Sequence, residues 1–453
     1  MCNVAQGDPM MVRRKIHGSL ISLLVLTLIL AACGSDSTAT TTSNTGSTNP
    51  AEVKGEITVW AWNVAAKSLE ATVPSFNQKY PNVKVTVQDI GRTDVYDKLT
   101  SGLQAGGAGL PDVVAIESDR MDVYTSTFPD GLADLTSRAS KYEKDFDPSK
   151  WAQSKISDKI RSIPWDSGPT GLWYRVDIFE QAGVDPKSIE TWADLIAAGE
   201  KILAATDGKT KLLPVDIVAD DAGFRMMTSQ LGVCCYFNND GKINLTNDKS
   251  VQALTLLKEI NDKGLVANIN GWDGTVAATK NGDVATVPFG VWYSGTIIDQ
   301  APDLSGKWDV MLLPAFEKGG NRAANLGGST LAIPAATKNL DAAWLFVEHA
   351  LATSEGQNIM MEKFGIWPSY QPAYSADLYS KPVAFFNNQP IWKLFADEIK
   401  NIPPATYTKD YAKGQAVLAS AQAKVLSQGM DPKQALQEAA AELANQTGRE
   451  IAQ

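Results

Sequence analysis

The sequence is poor in histidine. Its 453 residues include two, His17 and His349, although imidazole is the commonest metal ligand in proteins and the usual general base near neutral pH. This scarcity excludes His-rich metal sites and most His-dependent catalysis. We therefore expect a protein with no bound metal and no cofactor.

Blocks of positive charge are also missing from the body of the chain. Lys and Arg number 41 against 51 Asp and Glu, which gives a net charge of −10. A protein that binds nucleic acid needs a cationic surface for the phosphate backbone, so this balance argues against nucleic-acid partners. With 44% hydrophobic and 20% charged residues, the composition is that of a folded globular protein, and its length suggests two or three domains.

The apolar run at residues 20–32 is too short to span a bilayer as a helix, which takes about 20 residues. It follows Arg13, Arg14 and Lys15 and ends directly before Cys33. Basic residues followed by a short apolar run are typical of a secretory signal peptide. The end of the run resembles the lipobox of bacterial lipoproteins, which implies that residues 1–32 are removed and that Cys33 is lipidated.

The segment after Cys33 consists almost wholly of Ser, Thr, Gly, Asn and Ala as far as residue 50. Such a composition buries too little apolar area to fold, and we expect residues 33–54 to form a lipidated cysteine and a flexible linker. The protein is then a soluble body held by lipid at the outer face of a bacterial cell membrane. Few cysteines remain in that body, so its core must stabilise it.

The pattern of apolar residues in the body alternates between strands and helices. The alternating valines at residues 83–87 predict a half-buried strand. The predicted helix that precedes this strand contains Pro74, which predicts a kink or a late start. The order β-α-β-α-β predicts a mostly parallel sheet with helices on its faces. In such sheets ligands bind beyond the carboxyl ends of the strands, which is where the following residues fall: Trp62, Asn63, Glu117, Asp119 and Arg120.

A second α/β unit follows residue 165. Strands are predicted at residues 285–291, 308–313 and 330–333, with helices between and after them. Asp431 and Pro432 are a good N-cap and first helical residue for a terminal helix.

Several short motifs occur in a fixed order along these two units. They are Phe76-x-x-x-Tyr80-Pro81, Pro111-Asp112-Val113-Val114, the segment from Trp165 to Gly183, Thr191-Trp192-x-x-Leu195, Gly327-Gly328-Ser329 and the helix at residues 339–355. In this order they resemble the extracellular solute-binding proteins of family 1, the lipoprotein receptors of sugar-importing ABC transporters. Within that family, the sequence resembles receptors of the lactose- and arabinooligosaccharide-binding type.

The resemblance implies a two-lobed α/β fold of the periplasmic-binding-protein type II, with a ligand cleft between the lobes. The chain is expected to cross between lobes near residues 161–166, 314–328 and 382–389. Residues 55–164 with 327–383 then form the N-terminal lobe, and residues 165–326 with 384–453 the C-terminal lobe. Members of this family are not enzymes: the ligand closes the hinge, and membrane permease subunits recognise the closed form. We expect a monomer.

A sugar offers a C–H face, which an aromatic ring covers, and a rim of hydroxyls, which charged and amide groups bind. The candidate ligand-binding residues are Trp62, Asn63, Glu117, Asp119, Arg120, Trp165, Asp166, Trp292, Tyr293, Trp367 and Tyr370, with Arg225, Trp272, Gly328 and Ser329 as secondary candidates. Most have a structural alternative. It is core packing for the aromatic residues, an internal ion pair in a solvated loop for Glu117, Asp119 and Arg120, and a tight turn for Gly328 and Ser329.

Cys234 and Cys235 are adjacent and depart from what the family implies. We expect two separate buried thiols. The alternative is a disulfide between these neighbours that faces the cleft.

Two other functions remain open. A lipid-anchored glycoside hydrolase needs two carboxylates at a suitable separation, and Glu117 with Asp166 is the pair that the sequence offers. An importer receptor for a peptide, a polyamine or a sugar phosphate is the other possibility. Abundant candidate aromatics favour neutral sugars, and the lack of clustered arginine argues against phosphate esters.

Overall fold

A computed structural model of the protein describes residues 50–453. The predicted signal peptide, Cys33 and most of the predicted linker lie outside the described residues. In residues 50–453, none of the helices combines the length and the apolar composition that a membrane crossing needs.

The described residues contain 14 strands and 17 α-helices. The strands are β1 (Gly55–Ala61), β2 (Val83–Asp89), β3 (Val113–Glu117), β4 (Lys155–Ile156), β5 (Lys159–Ile160), β6 (Ser162–Pro164), β7 (Asp166–Ser167), β8 (Thr170–Arg175), β9 (Leu213–Val215), β10 (Val266–Asn268), β11 (Thr286–Gly290), β12 (Trp308–Leu312), β13 (Ser329–Ala332) and β14 (Trp367–Pro368). The helices are α1 (Asn63–Glu70), α2 (Val73–Lys79), α3 (Arg92–Gln104), α4 (Met121–Thr127), α5 (Thr136–Ala139), α6 (Pro148–Ser154), α7 (Val176–Gln181), α8 (Trp192–Ala205), α9 (Ala222–Gln230), α10 (Asp248–Asp262), α11 (Gly271–Asn281), α12 (Tyr293–Gln300), α13 (Leu340–Leu351), α14 (Ser354–Phe364), α15 (Ile391–Glu398), α16 (Tyr411–Gln428) and α17 (Pro432–Thr447).

Lobe 1, as we call it, is built on a five-stranded sheet in the order β2-β1-β3-β13-β6. Strand β1 pairs in parallel with both β2 and β3, as the β-α-β-α-β pattern predicts, and Val59 lies opposite Val87 on one side and Val113 on the other. Strand β13, which comes more than 200 residues later, joins the sheet antiparallel to β3 and β6. The central strand β3 is buried along its first four residues, whereas the edge strand β2 alternates.

The first helical region consists of two helices, where the sequence predicted one helix with a kink or a late start at Pro74. Helix α1 ends at Glu70, and α2 begins at Val73 with Pro74 in its first turn. The first turn tolerates proline because its N–H groups have no partner within the helix. Phe76 then points into the core of lobe 1, where it meets Phe346 of α13 edge to face.

Lobe 2 contains the antiparallel sheet β11-β8-β12 and the parallel pair β10-β9. Helices α8, α9, α10, α16 and α17 share one hydrophobic cluster with this lobe, including Trp192, Phe224 and Leu436. The terminal helix begins as predicted, because the Asp431 side chain accepts a hydrogen bond from the Gln434 N–H at 2.9 Å.

Extended segments connect the lobes. The chain leaves the lobe 1 sheet after β6 and enters the lobe 2 sheet at β8, and it returns between β12 and β13. Strand β7 lies between these two sheets along the chain and pairs with β14 to form a short ribbon. The predicted crossings at residues 161–166 and 314–328 coincide with these connections, whereas residues 382–389 come after the ribbon. The lobe boundaries given above stay predictions.

Candidate functional site

A small cavity lies between the lobes at the carboxyl end of β3. Glu117 and Asp119 line it from lobe 1, and residues 325–328 line it from the connection that returns to β13. The wall formed by lobe 2 consists of Arg225, Cys234, Cys235, Tyr407 and Tyr411. Both lobes therefore contribute side chains to one enclosed space, at the sheet edge where the strand order predicts a ligand.

Glu117 is the last residue of β3 and is held as an anion. Its Oε2 accepts hydrogen bonds from Arg92 Nε at 2.9 Å and from the Tyr96 hydroxyl at 2.8 Å, and Arg120 Nε lies 3.5 Å away. Burial alone would raise the pKa of Glu117, but these partners outweigh it and lower the pKa to about 2. The ion pair predicted as the structural alternative is therefore present, and it lies at the edge of the cavity.

Asp119 offers a different kind of carboxylate. Its Oδ1 atom is buried and accepts no hydrogen bond from residues 50–453. Burial, followed by the negative charge of Glu117, raises the pKa of Asp119 above its ordinary value. A buried carboxylate oxygen without a donor is destabilising unless a partner arrives. A hydroxyl group of a ligand is one such partner.

The cation of lobe 2 is fixed by two aspartates. Arg225 Nε donates to Asp221 at 2.8 Å, and Arg225 Nη2 donates to Asp220 at 2.9 Å. The Tyr236 hydroxyl also donates to Asp221, at 2.5 Å. Burial raises the pKa of Asp221 to about 6, although Arg225 acts in the opposite direction. The guanidinium thus faces the cavity from a rigid position on α9.

The connection at residues 325–328 is tightly fitted. The Asn325 side chain accepts a hydrogen bond from the Gly168 N–H at 3.0 Å, and the Asn325 N–H donates to Ser229 of lobe 2. Gly328 has φ +111°, and a Cβ there would collide with the Lys150 amine. The positive φ favours glycine at this position, but residues 326–328 form neither a turn nor a bend, so the tight turn given as the alternative role is not observed. Gly328 lines the cavity.

Asp166 and Ser329 bind each other beside the cavity. The Ser329 N–H donates to Asp166 Oδ1 at 2.7 Å. Burial raises the pKa of Asp166 to about 6, against the influence of Lys150. Neither residue is among those that line the cavity of the described structure.

Three predicted aromatic contacts lie in hydrophobic cores. Trp165 and Trp367 are each 1% exposed, and Tyr293 is fully buried. Trp165 packs within lobe 1, and Trp367 packs against Tyr374 and Tyr379. In this conformation all three residues pack in the core, which is the structural alternative given above.

The remaining aromatic candidates are half-buried. Trp62 lies 6.0 Å from Tyr96, measured between ring centroids. Trp292 donates from Nε1 to the carbonyl oxygen of Leu326, and Trp272 lies 5.8 Å from its ring. Trp292 therefore contacts the connection that lines the cavity, and Trp272 contacts Trp292.

Two further candidates lie in local contacts. The Asn63 N–H donates to Asp89 at the start of α1. Tyr370 packs against Phe146, with 5.2 Å between ring centroids.

Cys234 and Cys235 correct an expectation. They are buried as predicted, but they are joined by a disulfide instead of being two separate thiols. The disulfide lines the cavity, as the alternative proposed.

Tyr407 and Tyr411 were not among the candidates. Tyr407 precedes α16, Tyr411 begins it, and their rings meet at 5.0 Å with an interplanar angle of 89°. They come from a segment without strand or helix periodicity, far along the chain from every other wall of the cavity. The spacing of two tyrosines four residues apart at a helix start was the available signal.

The lobes touch across the cleft, and little free space remains between them. Arg120 Nη2 donates to the side-chain oxygen of Gln415 on α16 at 3.1 Å. The cavity volume is about 30 Å³, which holds about two water molecules. This conformation is therefore closed, and a ligand larger than water enters only after the lobes separate.

Comparison with known proteins places this architecture in a family. Residues 59–358 match the profile of the family described as bacterial extracellular solute-binding protein. The chain is 32% identical to the lactose-binding protein of Rhizobium radiobacter, over 78% of this chain and 84% of the relative. It is 30% identical to the arabinooligosaccharide-binding protein of Bacillus subtilis, over 94% of this chain and 98% of the relative.

Solved structures agree with this assignment. A binding protein associated with an ABC transporter of Bifidobacterium animalis, solved in complex with β-1,6-galactobiose, superposes with a TM-score of 0.77 at 26% identity, over 88% of this chain and all of that one. The GacH receptor of Streptomyces glaucescens gives a TM-score of 0.74 at 22% identity over the same shares and supports the fold alone. The two-lobed fold inferred from the motifs is confirmed, and the chain belongs to the bacterial extracellular solute-binding proteins.

Proposed function

We propose that this protein is the sugar-binding receptor of an ABC importer and captures a sugar or oligosaccharide between its lobes. The buried, unpartnered oxygen of Asp119 carries the proposal. It faces a cavity whose other walls hold Arg225, Tyr407 and Tyr411. A sugar hydroxyl can donate to the carboxylate, while the tyrosine rings and hydroxyls suit a polyol with an apolar face. Relatives that bind lactose and arabinooligosaccharide support the same ligand class.

Hinge closure signals that the site is occupied. Glu117 and Asp119 belong to lobe 1 and Arg225 to lobe 2, so a ligand that binds all three favours the conformation in which the lobes meet. The Arg120–Gln415 hydrogen bond forms in that conformation. The closed surface is then what membrane permease subunits recognise, and the receptor acts as a monomer that delivers its ligand to them.

No catalytic step is needed for this role. A hydrolase built on Glu117 and Asp166 requires one of them as a general acid, with its pKa raised and its proton aimed at the substrate. Glu117 instead has its pKa lowered to about 2 by Arg92, Arg120 and Tyr96. Asp166 has a pKa of about 6, but its Oδ1 is bound to the Ser329 N–H and the side chain lies outside the cavity lining.

Ligand binding is tested with residues 50–453 as purified protein. Thermal unfolding is measured with lactose, an arabinooligosaccharide, a maltooligosaccharide and β-1,6-galactobiose, and separately with spermidine, a tripeptide and glycerol 3-phosphate. A true ligand at 100 times its Kd adds about 2.7 kcal/mol to the free energy of unfolding. A sugar should raise the Tm; a rise produced by a charged solute alone rejects the sugar assignment. Incubation of the sugar ligands with the protein should leave them uncleaved.

The lipid anchor is a separate part of the proposal. Cys33 follows a short apolar run and precedes a linker. In a bacterial host, the full chain should partition with membranes, and Cys33→Ser should release it into the soluble fraction. Equal partitioning of both proteins contradicts lipidation at Cys33.

A further inference from the structure

The Cys234–Cys235 disulfide forms part of the wall that lobe 2 contributes to the ligand cavity. Arg225 and the two tyrosines 407 and 411 lie on the same wall. Cys234 is 9% and Cys235 1% exposed in this closed conformation. The disulfide therefore faces the cleft and not the bulk solvent.

The backbone on both sides of the disulfide is fixed by other contacts. Gly232 ends α9 with φ +74°, and the Val233 N–H donates to the Thr228 carbonyl at 2.9 Å. After the disulfide, the Asn244 N–H donates to the Tyr236 carbonyl at 2.7 Å. The Tyr236 ring is buried against Tyr411, 4.8 Å away. The two sulfurs are thus held at a defined place on the wall.

Stabilisation of the fold does not account for this bond. A disulfide stabilises mainly by restricting the unfolded chain, and the effect grows with the number of residues that the closed loop contains. Cys234 and Cys235 are neighbours and enclose no intervening residue. The bond leaves the unfolded chain almost as free as before, so its consequence is local: it changes the shape and chemistry of the surface at that point.

That surface adds apolar contact to a cavity in which, of the residues that the structure describes, only Leu326 and the rings of Tyr407 and Tyr411 otherwise supply it. Among residues 50–453, those that line it include three charged side chains and no tryptophan. A sugar ring needs apolar contact for its C–H face as well as partners for its hydroxyls. A disulfide has no O–H or N–H group, and its sulfurs are polarizable and make good dispersion contacts. Two free thiols would instead present weak donors on separately rotating side chains.

We propose that the Cys234–Cys235 disulfide is the apolar platform on which one ring of the bound sugar packs its C–H face, so that ligand affinity requires the oxidised pair. This inference rests on the proposed function, because it assumes a sugar in the cavity. Export to the outer face of the membrane fits it, since disulfides persist in that environment.

The sequence allows a clean experiment. Cys234 and Cys235 are the only cysteines in residues 50–453, so intact mass and thiol counting report on this pair alone. Reduction by a phosphine such as TCEP transfers two electrons to the disulfide. Water supplies two protons, which give two thiols, and its oxygen, which converts the phosphine to its oxide. The Kd for each sugar of the panel is measured by calorimetry for the oxidised protein, the TCEP-reduced protein and the double variant Cys234→Ala/Cys235→Ala.

The intact mass of the oxidised protein should be smaller than that of the dithiol form by two hydrogen atoms. Reduction and the double variant should each weaken the binding of the best sugar by about tenfold, the order of effect that removal of one apolar contact patch produces. TCEP should leave the Kd of the double variant unchanged, which controls for effects of the reagent. Tm values measured without sugar show whether either form has lost its fold.

A crystal structure of the complex separates direct contact from an indirect effect, and it decides the matter if the double variant does not fold. Ring carbons of the sugar should lie within about 4.5 Å of both sulfurs. If sugar binds equally well to the oxidised, reduced and variant proteins, or lies away from the sulfurs, the inference is wrong and the proposed function stands. If no sugar binds the oxidised protein, the proposed function fails and the platform fails with it.

Discussion

Arg120 Nη2 on lobe 1 donates to the side-chain oxygen of Gln415 on lobe 2 at 3.1 Å. The same guanidinium lies 4.8 Å from the centroid of the Tyr96 ring and 3.5 Å from Glu117, so the cation that closes the cleft is oriented by the acid that lines it. Closure and ligand binding therefore share one side-chain network.

Removal of this contact should favour the open form. Gln415→Ala should weaken sugar binding about twofold to tenfold, because a typical intramolecular hydrogen bond contributes about 0.5–1.5 kcal/mol. Calorimetry gives the Kd, and small-angle scattering of the ligand-free protein should show a larger radius of gyration. The control is Gln434→Ala, since Gln434 is an exposed residue that bonds within lobe 2. Unchanged affinity and dimensions in Gln415→Ala would contradict the role of this contact.

Asp119→Ala should weaken ligand binding more strongly. Its Oδ1 is buried without a donor, and a charge-assisted hydrogen bond to a ligand hydroxyl is worth about 1.5–3 kcal/mol, or roughly tenfold to a hundredfold in Kd. The ligand-free variant should unfold at an equal or higher urea concentration, because an unsatisfied carboxylate has been removed. Asp97→Ala, an exposed change on α3, should alter neither quantity. A variant that binds as tightly as wild type shows that Asp119 makes no contact with the ligand.

Local patterns were sufficient to predict the parallel strands of lobe 1 and to place two candidate residues beyond the end of β3. Alternation predicted β2, Pro74 predicted a kink or a late start at the place where α2 begins, and the strand order placed Glu117 and Asp119 at the sheet edge beside the candidate cavity. Each of these features depends on residues that are near one another in the chain or on a general rule for parallel sheets.

Features that depend on distant pairing were out of reach. Trp165 lies at the predicted connection between lobes. Its backbone N–H donates to the Ser329 carbonyl, and this pairing directs the indole into lobe 1. Tyr407 and Tyr411 reach the cavity because α16 packs on α10, which no local pattern encodes. Side-chain direction at a hinge is set by tertiary hydrogen bonds, so composition indicated the ligand class better than it indicated the contacts.

Stability should pass through a maximum below neutral pH. Asp166 and Asp221 have pKa values of about 6, raised by burial from the ordinary 3.8, so the folded protein binds protons more readily than the unfolded chain. Their contribution to the free energy of unfolding is fully present below about pH 4, and it is lost as the pH rises through 6. Glu117 acts oppositely: its pKa falls from 4.5 to about 2, so its contribution is present above pH 4.5 and lost as the pH falls towards 2.

Urea unfolding between pH 2.5 and 8 measures this profile. The free energy of unfolding should rise from pH 7 to about pH 5 and fall below about pH 4. Asp221→Asn should flatten the rise, and Glu117→Gln should flatten the fall on the acid side. A profile that declines steadily from pH 7 to pH 5 would show that the two aspartates are not protonated in the folded protein.

Trp165→Ala and Trp272→Ala should separate packing from binding. Trp165 is 1% exposed among the apolar residues of lobe 1, so its truncation leaves a large cavity and should lower the free energy of unfolding by about 3–5 kcal/mol. Trp272 is half-buried, stacks on Phe289 and contacts Trp292 beside the cavity connection, and its loss should lower stability less. Urea unfolding measures the free energy of unfolding of each variant. Sugar titration of the fraction that remains folded measures its Kd. If Trp165→Ala retained wild-type stability and lost ligand binding, its indole would have to leave the core when the lobes open.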